Sequence, residues 1–165
     1  MSRFMEISLD TRGVSCVARL LDEEAPRTCD AIWDALPLSN RVWHAKYASN
    51  EIYCMVPPLA SDPGLENPTI TPIPADVIYF RFPTGQFLRS FRESRGIEGL
   101  DAVIDLAVFY GRNNFLWDPS VGPVPGNVYA TIVERYEEFA AACHDVYLRG
   151  SEGETLSYRR IEARS

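Results

Sequence analysis

Histidine and paired cysteines, the usual ligands of structural metal sites, are scarce in this sequence. Its 165 residues include two histidines, His44 and His144, and neither lies near a cysteine or the other histidine. The four cysteines show no C-x-x-C spacing, and each falls within an apolar pattern. We therefore expect no metal site, no cofactor, and reduced, mostly buried thiols in a cytoplasmic protein. These thiols are Cys16, Cys29, Cys54 and Cys143.

Long apolar runs and an excess of positive charge are also absent. No apolar run reaches the roughly 18 residues that a membrane span needs, and the N-terminus turns acidic too early for a secretory signal. The net charge of −7 argues against a nucleic-acid or anionic-membrane partner. The basic residues are arginine except for Lys46, which indicates either a compositional bias of the source or a reactive amine.

No motif in the sequence identifies a reaction. There is no Ser-His-Asp or Cys-His order typical of nucleophilic catalysis, and no glycine-rich phosphate loop. The length suits a single domain over residues 1–165, which can bury roughly 70% of the surface of its unfolded chain. The fold can therefore be predicted much further than the function, and the sequence does not decide whether the protein is an enzyme.

Residues 41–56 are the most informative stretch. They predict two strands joined by a two-residue turn at Ser49 and Asn50, which are turn-forming residues. Because side chains alternate between the two faces of a strand, one face carries apolar core residues and the other a polar row. This polar row consists of His44, Lys46, Glu51, Tyr53 and Met55.

The remaining pattern predicts a mainly β protein. Apolar residues indicate strands at 3–9, 14–21, 77–82, 103–110, 128–133 and 155–161. Helical spacing indicates helices at about 22–36, ended by Pro37, and about 134–148, ended by Gly150. Residues 84–100 form an excursion that is a short helix or a hairpin. Many strands with two capping helices favour a closed antiparallel β-barrel, which removes exposed sheet edges.

This order of elements resembles the cyclophilin-like barrel. The likeness lies in residues 50–53 (Asn-Glu-Ile-Tyr), 66–68 (Glu-Asn-Pro) followed by 76–79 (Asp-Val-Ile-Tyr), and 126–134 running into the last helix. Read with residues 25–29 (Ala-Pro-Arg-Thr-Cys), these stretches resemble an uncharacterised bacterial family of cyclophilin-like domains. The resemblance covers most of the chain and implies the fold, but it implies no reaction.

The chain departs from true cyclophilins at their active site. Prolyl isomerases of that family have a catalytic arginine on a core strand and a phenylalanine-methionine-x-glutamine-glycine-glycine run. Neither is found here, and Gln86 is followed by Phe87 instead of two glycines. Because function resides in the site and not in the fold, the resemblance does not imply isomerase activity.

Two long loops, 57–76 and 111–127, are expected to meet the polar row at one rim of the barrel. Glu51 and Glu66 are the candidate catalytic residues, since two carboxylates can share acid and base roles when burial separates their pKa values. Arg112 offers a planar fork for a carboxylate. The candidate ligand-binding residues are His44, Tyr53, Asn67, Arg112, Asn113 and Asn114. Alternatively, Glu51 pairs with Lys46, Glu66 and Asn67 cap the loop backbone, and Asn113 and Asn114 are turn residues.

Three functional hypotheses follow. The first is an enzyme or binding protein for a small polar molecule that bears a carboxylate or an amide. The second is a peptide-binding or prolyl isomerase-like module, and the third is a non-catalytic oligomeric subunit. We expect a homo-oligomer, because the aromatic residues at 87–91 and 115–117 have no evident core to join.

Overall fold

The computed structural model describes residues 2–162, and this part of the chain is mainly β with three α-helices. The strands are β1 (Phe4–Leu9), β2 (Val14–Leu20), β3 (Leu38–Arg41), β4 (Trp43–His44), β5 (Glu51–Val56), β6 (Pro68–Thr69), β7 (Asp76–Pro83), β8 (Ala102–Phe109), β9 (Trp117–Asp118), β10 (Gly122–Pro123), β11 (Gly126–Glu134) and β12 (Thr155–Ile161). The helices are α1 (Pro26–Ala35), α2 (Arg89–Arg95) and α3 (Tyr136–Arg149). Every strand predicted outside 41–56 is present. Within residues 2–162, no helix is both long and apolar enough to cross a membrane.

Ten strands form one antiparallel sheet in the order β3-β12-β1-β2-β11-β7-β8-β5-β4, with β6 paired to β11. The short strands β9 and β10 pair only with each other in the described chain. No pairing among residues 2–162 joins the two edge strands β3 and β4, so the sheet is not closed. The predicted closed antiparallel barrel is therefore wrong, and so is the number of two helices.

The two edge strands are neighbours in the chain. Val42 alone separates β3 from β4, and it carries the chain from one edge of the sheet to the other. Its side chain is fully buried, and its N–H donates to the carbonyl of Glu154 at 3.1 Å. Beside it, the Asn40 side chain donates to the carbonyl of Met55 at 2.6 Å. The two edges of the sheet are thus connected by the chain at Val42 and by one side-chain hydrogen bond, and not by the backbone hydrogen bonds that would close a barrel.

One face of the sheet packs against α1 and α3 and forms the inner core, which includes Ile52, Cys54 and Val56 of β5. Helix α1 begins at Pro26, whose fixed φ suits the first helical position. It ends just before Pro37, as predicted. The four cysteines are free and buried, and burial raises the pKa of Cys16 to about 12. This thiol therefore stays protonated at neutral pH.

The opposite face of β5, β7 and β8 forms a second cluster, the outer core. It includes Tyr53, Phe80 and Ala107 and is covered by residues 84–100 and by Leu116. The excursion 84–100 contains a single 3₁₀ turn (Thr84–Gln86) followed by α2. Phe87 and Phe91 stack on each other and pack here. The aromatic residues at 87–91 do have a core to join, so this part of the reason for expecting a homo-oligomer is wrong.

Candidate functional site

The central hairpin pairs in a different register from the predicted one. Trp43 lies opposite Tyr53 and His44 lies opposite Ile52, whereas a two-residue turn would place His44 opposite Met55. The pairing is shifted by three residues, and residues 45–50 form the loop. Because strand side chains alternate, a shift by an odd number of residues moves a strand's side chains to the other face.

This shift changes the membership of the polar row. Trp43 takes its place on the outer face beside Glu51 and Tyr53, while His44 is turned to the inner side. Lys46 is exposed in the loop. The predicted row is therefore wrong for His44 and Lys46 and right for the residues on β5.

A buried aspartate lies at the centre of the outer face. Asp105 on β8 stands opposite Met55 of β5 and Phe80 of β7. Asp105 is 7% exposed. Among the described residues, its Oδ1 has no hydrogen-bond partner. Burial raises the pKa of Asp105 well above its usual range, although the charge of Arg95 acts in the opposite direction.

A second buried carboxyl group, that of Glu51, shares this face. Burial raises the pKa of Glu51 well above its usual range, and the charge of Asp105 raises it further. Asp105 pairs with Met55, four residues from Glu51 along β5, an offset of about 13 Å at strand spacing. The two groups therefore do not form a hydrogen-bonded dyad. Each holds its proton to a higher pH than an exposed carboxyl group does, which suits a general acid.

Arg95, the last residue of α2, ties the covering excursion to this face. Its Nη2 donates to the hydroxyl of Tyr53 at 3.0 Å. Its guanidinium carbon lies 3.6 Å from the ring centre of Trp43 and 4.3 Å from that of Phe91. Cation–π contacts of this kind contribute about 0.5–2 kcal/mol. Burial and the Asp105 charge raise the pKa of Tyr53 to about 12, although Arg95 opposes this, so the phenol stays protonated at neutral pH.

We call Trp43, Glu51, Tyr53, Arg95 and Asp105 the Asp105 cluster. The sequence predicted Glu51 and Tyr53 but missed the other three members. Asp105 had a visible signal, because it is the one charged residue in the otherwise apolar strand Ala102–Phe109. Arg95 had none, since it lies in a charged segment, and Trp43 was hidden by the wrong register.

Glu66 lies elsewhere, at the start of α1. Its carboxylate accepts hydrogen bonds from the N–H of Arg27 at 3.2 Å, and from the N–H and hydroxyl of Thr28 at 2.7 and 2.8 Å. Burial acts to raise the pKa of Glu66, but the hydrogen bonds from Thr28 and Arg27 outweigh it, and the pKa is lowered. The structure thus places Glu66 as a cap for the free N–H groups of a helix, and does not bring it to Glu51.

Asn67 and Asn113 occupy turn positions. Their φ angles are 50° and 63°, in the left-handed region that asparagine tolerates. The side chain of Asn67 donates to the carbonyl of Val128 at 2.8 Å. Both residues are exposed, and these contacts agree with the alternative interpretation of turn residues.

Asn114 and Arg112 lie in the loop after β8. Buried Asn114 accepts a hydrogen bond from the N–H of Asn50 at 3.1 Å and donates to the carbonyls of Pro72 and Gly111. The carbonyl of Arg112 accepts from the Asn50 side chain at 2.9 Å, while the residue itself is exposed. Asn114 therefore fastens this loop to the residue before Glu51, and Arg112 lies near the same end of β5.

His44 contacts a different group of residues. Its Nε2 lies 2.6 Å from the hydroxyl of Tyr110 and its Nδ1 lies 2.8 Å from the carbonyl of Ala45. The ring packs 5.0 Å from that of Tyr147 on α3. Burial lowers the pKa of His44. The structure thus brings Glu51 and Tyr53 together, and leaves His44, Glu66 and Asn67 apart from them.

The chain is similar to proteins of unknown function. A family described as "Protein of unknown function (DUF3830)" matches residues 7–158, which confirms the prediction of an uncharacterised family. No curated protein matches the chain. The structure of McbB in complex with tryptophan is similar, with a TM-score of 0.61 and 20% identity over 98% of this chain. The alignment covers 46% of McbB, so this chain spans less than half of that protein. At this identity the likeness shows the fold alone.

Proposed function

We propose that this chain, which belongs to the DUF3830 family of proteins of unknown function, binds a small polar molecule with an amide or carboxylate group at the Asp105 cluster. The observation that carries the proposal is the buried Oδ1 of Asp105, which has no hydrogen-bond partner in the described chain. A buried acceptor in this state costs about 1–3 kcal/mol. A ligand that donates a hydrogen bond to this oxygen removes that cost.

Asp105 and Arg95 together favour an amide. The Nε of Arg95 is buried and, within residues 2–162, also has no hydrogen-bond partner. Arg95 contacts the hydroxyl of Tyr53. Tyr53 pairs with Ala107, two residues from Asp105 on the same face of β8. An acceptor and a donor therefore lie on the same face of the sheet. The N–H of an amide matches the former and its C=O the latter. A carboxylate can bind to Arg95 alone, and the rings of Trp43 and Phe91 flank the guanidinium.

Glu51 is the acid–base residue in this proposal. Its raised pKa keeps it protonated to a higher pH than an exposed carboxyl group, and it lies two residues from Tyr53 on the same face of β5, on the Arg95 side of the cluster. Proton transfer to a carbonyl or leaving nitrogen of a ligand held by Arg95 is the chemistry that such a carboxyl group performs. Glu66 has no part in the proposal, because its carboxylate is occupied by three hydrogen bonds at α1.

The ligand enters beneath α2. None of the seven residues of this helix is buried, and its one apolar residue, Phe91, makes its apolar contact with the outer core. Elements of this kind open at low cost and often cover binding sites. The contacts of Arg95 with Tyr53 and Trp43 are the main polar contacts that hold the helix to the sheet.

We also propose a cytoplasmic location, which suits four reduced thiols.

The likeness to McbB supports the size of the ligand. The McbB structure contains tryptophan, an amino acid with a carboxylate and an aromatic ring. An amino acid of this kind is therefore one of the ligands to test at the Asp105 cluster. The activity of McbB is not transferred, because more than half of that protein lies outside the similarity.

A thermal-shift screen with amino acids and their amides tests this proposal. We expect wild type to be stabilised by at least one amide or amino acid, and Asp105→Leu, which has no acceptor, and Arg95→Met to lose that shift. Asp101→Leu is the matched control, since Asp101 is an exposed aspartate just before β8. If a hit stabilises wild type and Asp105→Leu equally, the ligand does not bind at this cluster and the proposal fails.

A homo-oligomer is a second candidate, favoured by an exposed aromatic pair. Phe115 and Trp117 are each 47% exposed, and their rings stack with centres 5.8 Å apart. Val121 nearby is 62% exposed. Sedimentation equilibrium of wild type and of Phe115→Ser/Trp117→Ser tests it. A monomeric wild type at high concentration would refute this candidate.

A further inference from the structure

A cavity of about 290 Å³ lies at the edge of β7, and none of the residues that line it belongs to the Asp105 cluster. We call it the Tyr79 cavity. The second half of β7 pairs with β8 but not with β11, because the β7–β11 ladder ends at the pair Tyr79 and Asn127. The cavity fills the resulting gap. Residues around it include Asp62, Leu65, Tyr79, Arg81, Pro83 and Pro125.

Gly126 explains why β11 leaves β7 at this point. A Cβ atom at position 126 would lie 2.5 Å from side-chain atoms of both Ile78 and Phe80. Only glycine lets the backbone pass so close over these side chains. Gly126 then pairs with Thr69 of β6, and Pro125 before it has no N–H to donate to β7. Gly126 and Pro125 thus account for the gap between β7 and β11.

Tyr79 brings a buried polar group to this gap. The residue is 3% exposed, yet its hydroxyl has no hydrogen-bond partner in the part of the chain that the structure describes. Burial raises the pKa of Tyr79 to about 12, with Asp62 raising it further and Arg81 lowering it. The hydroxyl is therefore an uncharged donor at neutral pH, within reach of the charges of both residues.

Arg81 adds a cation to the same wall. Its Nε lies 3.4 Å from Asp62 Oδ2, and the two side chains are 39% and 54% exposed. Among the residues that the structure describes, the Nη groups of Arg81 make no hydrogen bond, so they can donate to another acceptor. Leu65, Pro83 and Pro125 provide apolar walls. The donors of Tyr79 and Arg81 match an anion whose apolar body packs on these walls, although the carboxylate of Asp62 on the same wall opposes it.

We infer that the Tyr79 cavity is a second binding site, for a small monocarboxylate with an apolar body. The carboxylate accepts hydrogen bonds from the Tyr79 hydroxyl and the Arg81 guanidinium, and the apolar body packs against Leu65 and Pro125. Its volume lies at the lower end of the roughly 300–1,000 Å³ of ligand sites. The occupant is therefore about the size of phenylacetate.

Titration calorimetry of the full chain with phenylacetate tests this inference. Tyr79→Phe removes only the hydroxyl, and Arg81→Gln removes the cation. We expect each variant to keep its melting temperature and to bind phenylacetate roughly 10- to 100-fold more weakly, the effect of losing a hydrogen bond to a charged group. Arg149→Gln is the matched control, because Arg149 is also a surface arginine paired with an aspartate.

Neutral phenylacetamide separates the carboxylate from its apolar body. It should bind more than tenfold more weakly than phenylacetate, and equal binding would overturn the assignment. Absence of phenylacetate binding in the millimolar range, or unchanged binding by Tyr79→Phe, would also overturn it. Asp105→Asn should bind phenylacetate like wild type, so this site and the Asp105 cluster succeed or fail independently.

Discussion

Replacing Asp105 by asparagine should stabilise the protein at neutral pH. The gain in stability should be smaller in acid. The pKa of Asp105 is raised well above its usual range, first by burial. Between the unfolded pKa of about 3.9 and the folded pKa, the folded state therefore binds more protons than the unfolded state. The stability contributed by this group is present below the unfolded pKa and is lost as pH rises through the folded pKa. Asparagine carries no charge and escapes this loss.

The size of the effect follows from burying the charged carboxylate, because asparagine keeps an oxygen acceptor and loses only the charge. Above the folded pKa, each unit by which the folded pKa of Asp105 exceeds its unfolded pKa costs wild type about 1.4 kcal/mol. For a chain of this length, 1 kcal/mol shifts the melting temperature by roughly 2–4 °C. We therefore expect Asp105→Asn to melt above wild type at pH 8, by roughly 3–6 °C for each such unit. The attraction between Asp105 and Arg95 opposes this gain, but the raised pKa shows that burial outweighs it.

Melting curves from pH 4 to pH 9 provide the assay. The difference between Asp105→Asn and wild type should grow with pH and then level off above the folded pKa. Asp101→Asn, a change at an exposed position, should follow wild type throughout. A difference that does not vary with pH, or a variant less stable than wild type at pH 8, would refute the assignment of Asp105 as a strained buried carboxyl group.

Three further predictions concern residues outside this cluster. Glu66→Ala should lower the free energy of unfolding by about 1 kcal/mol at pH 7, since it removes a helix cap. Because the pKa of Glu66 is lowered in the fold, this loss should disappear as pH falls through that pKa, as urea melts at pH 7 and pH 3 will show. Arg112→Ala should change stability by less than about 0.5 kcal/mol, because the residue is exposed, and a larger loss in a urea melt would indicate a structural role. Gly126→Ala should cost about 1–3 kcal/mol through its contact with Phe80, measured in the same way, and an unchanged midpoint would show that β11 can move aside.

The strands of the inner core were predictable from the sequence because their apolar patterns are strong. β3 was not, since Leu-Ser-Asn-Arg has no apolar alternation and pairs only with β12 at an edge. The closed barrel was predicted from strand content alone, whereas closure depends on whether the edge strands pair. At Val42 the chain passes from one edge strand to the other, and no local sequence pattern predicts this connection.

The predicted register of the central hairpin was wrong because residues distant in the sequence determine the length of its loop. Ser49 and Asn50 do occupy a turn, with Ser49 at φ 77°. However, Asn50 is held by Asn114 and by the carbonyl of Arg112, more than 60 residues later. These bonds fix a six-residue loop in place of a two-residue turn. Local turn chemistry therefore found the position of the turn but not its length, and the length decides which residues join Glu51.

Asp105 shows how a residue that is unfavourable for folding can indicate a site. β8 is buried on both faces along all of its length, so an apolar side chain at position 105 would fit the surrounding pattern. Replacing buried charged groups by apolar residues is often neutral or stabilising. Asp105 has no partner on its Oδ1 in the described chain and gains only a partial offset from Arg95. The fold thus gives no structural reason for this carboxyl group, and a ligand donor is the contact that its position lacks. The pKa of Glu51 on the same face is also raised by burial, and two buried carboxyl groups on one face of the sheet make a binding site a better explanation than a packing fault.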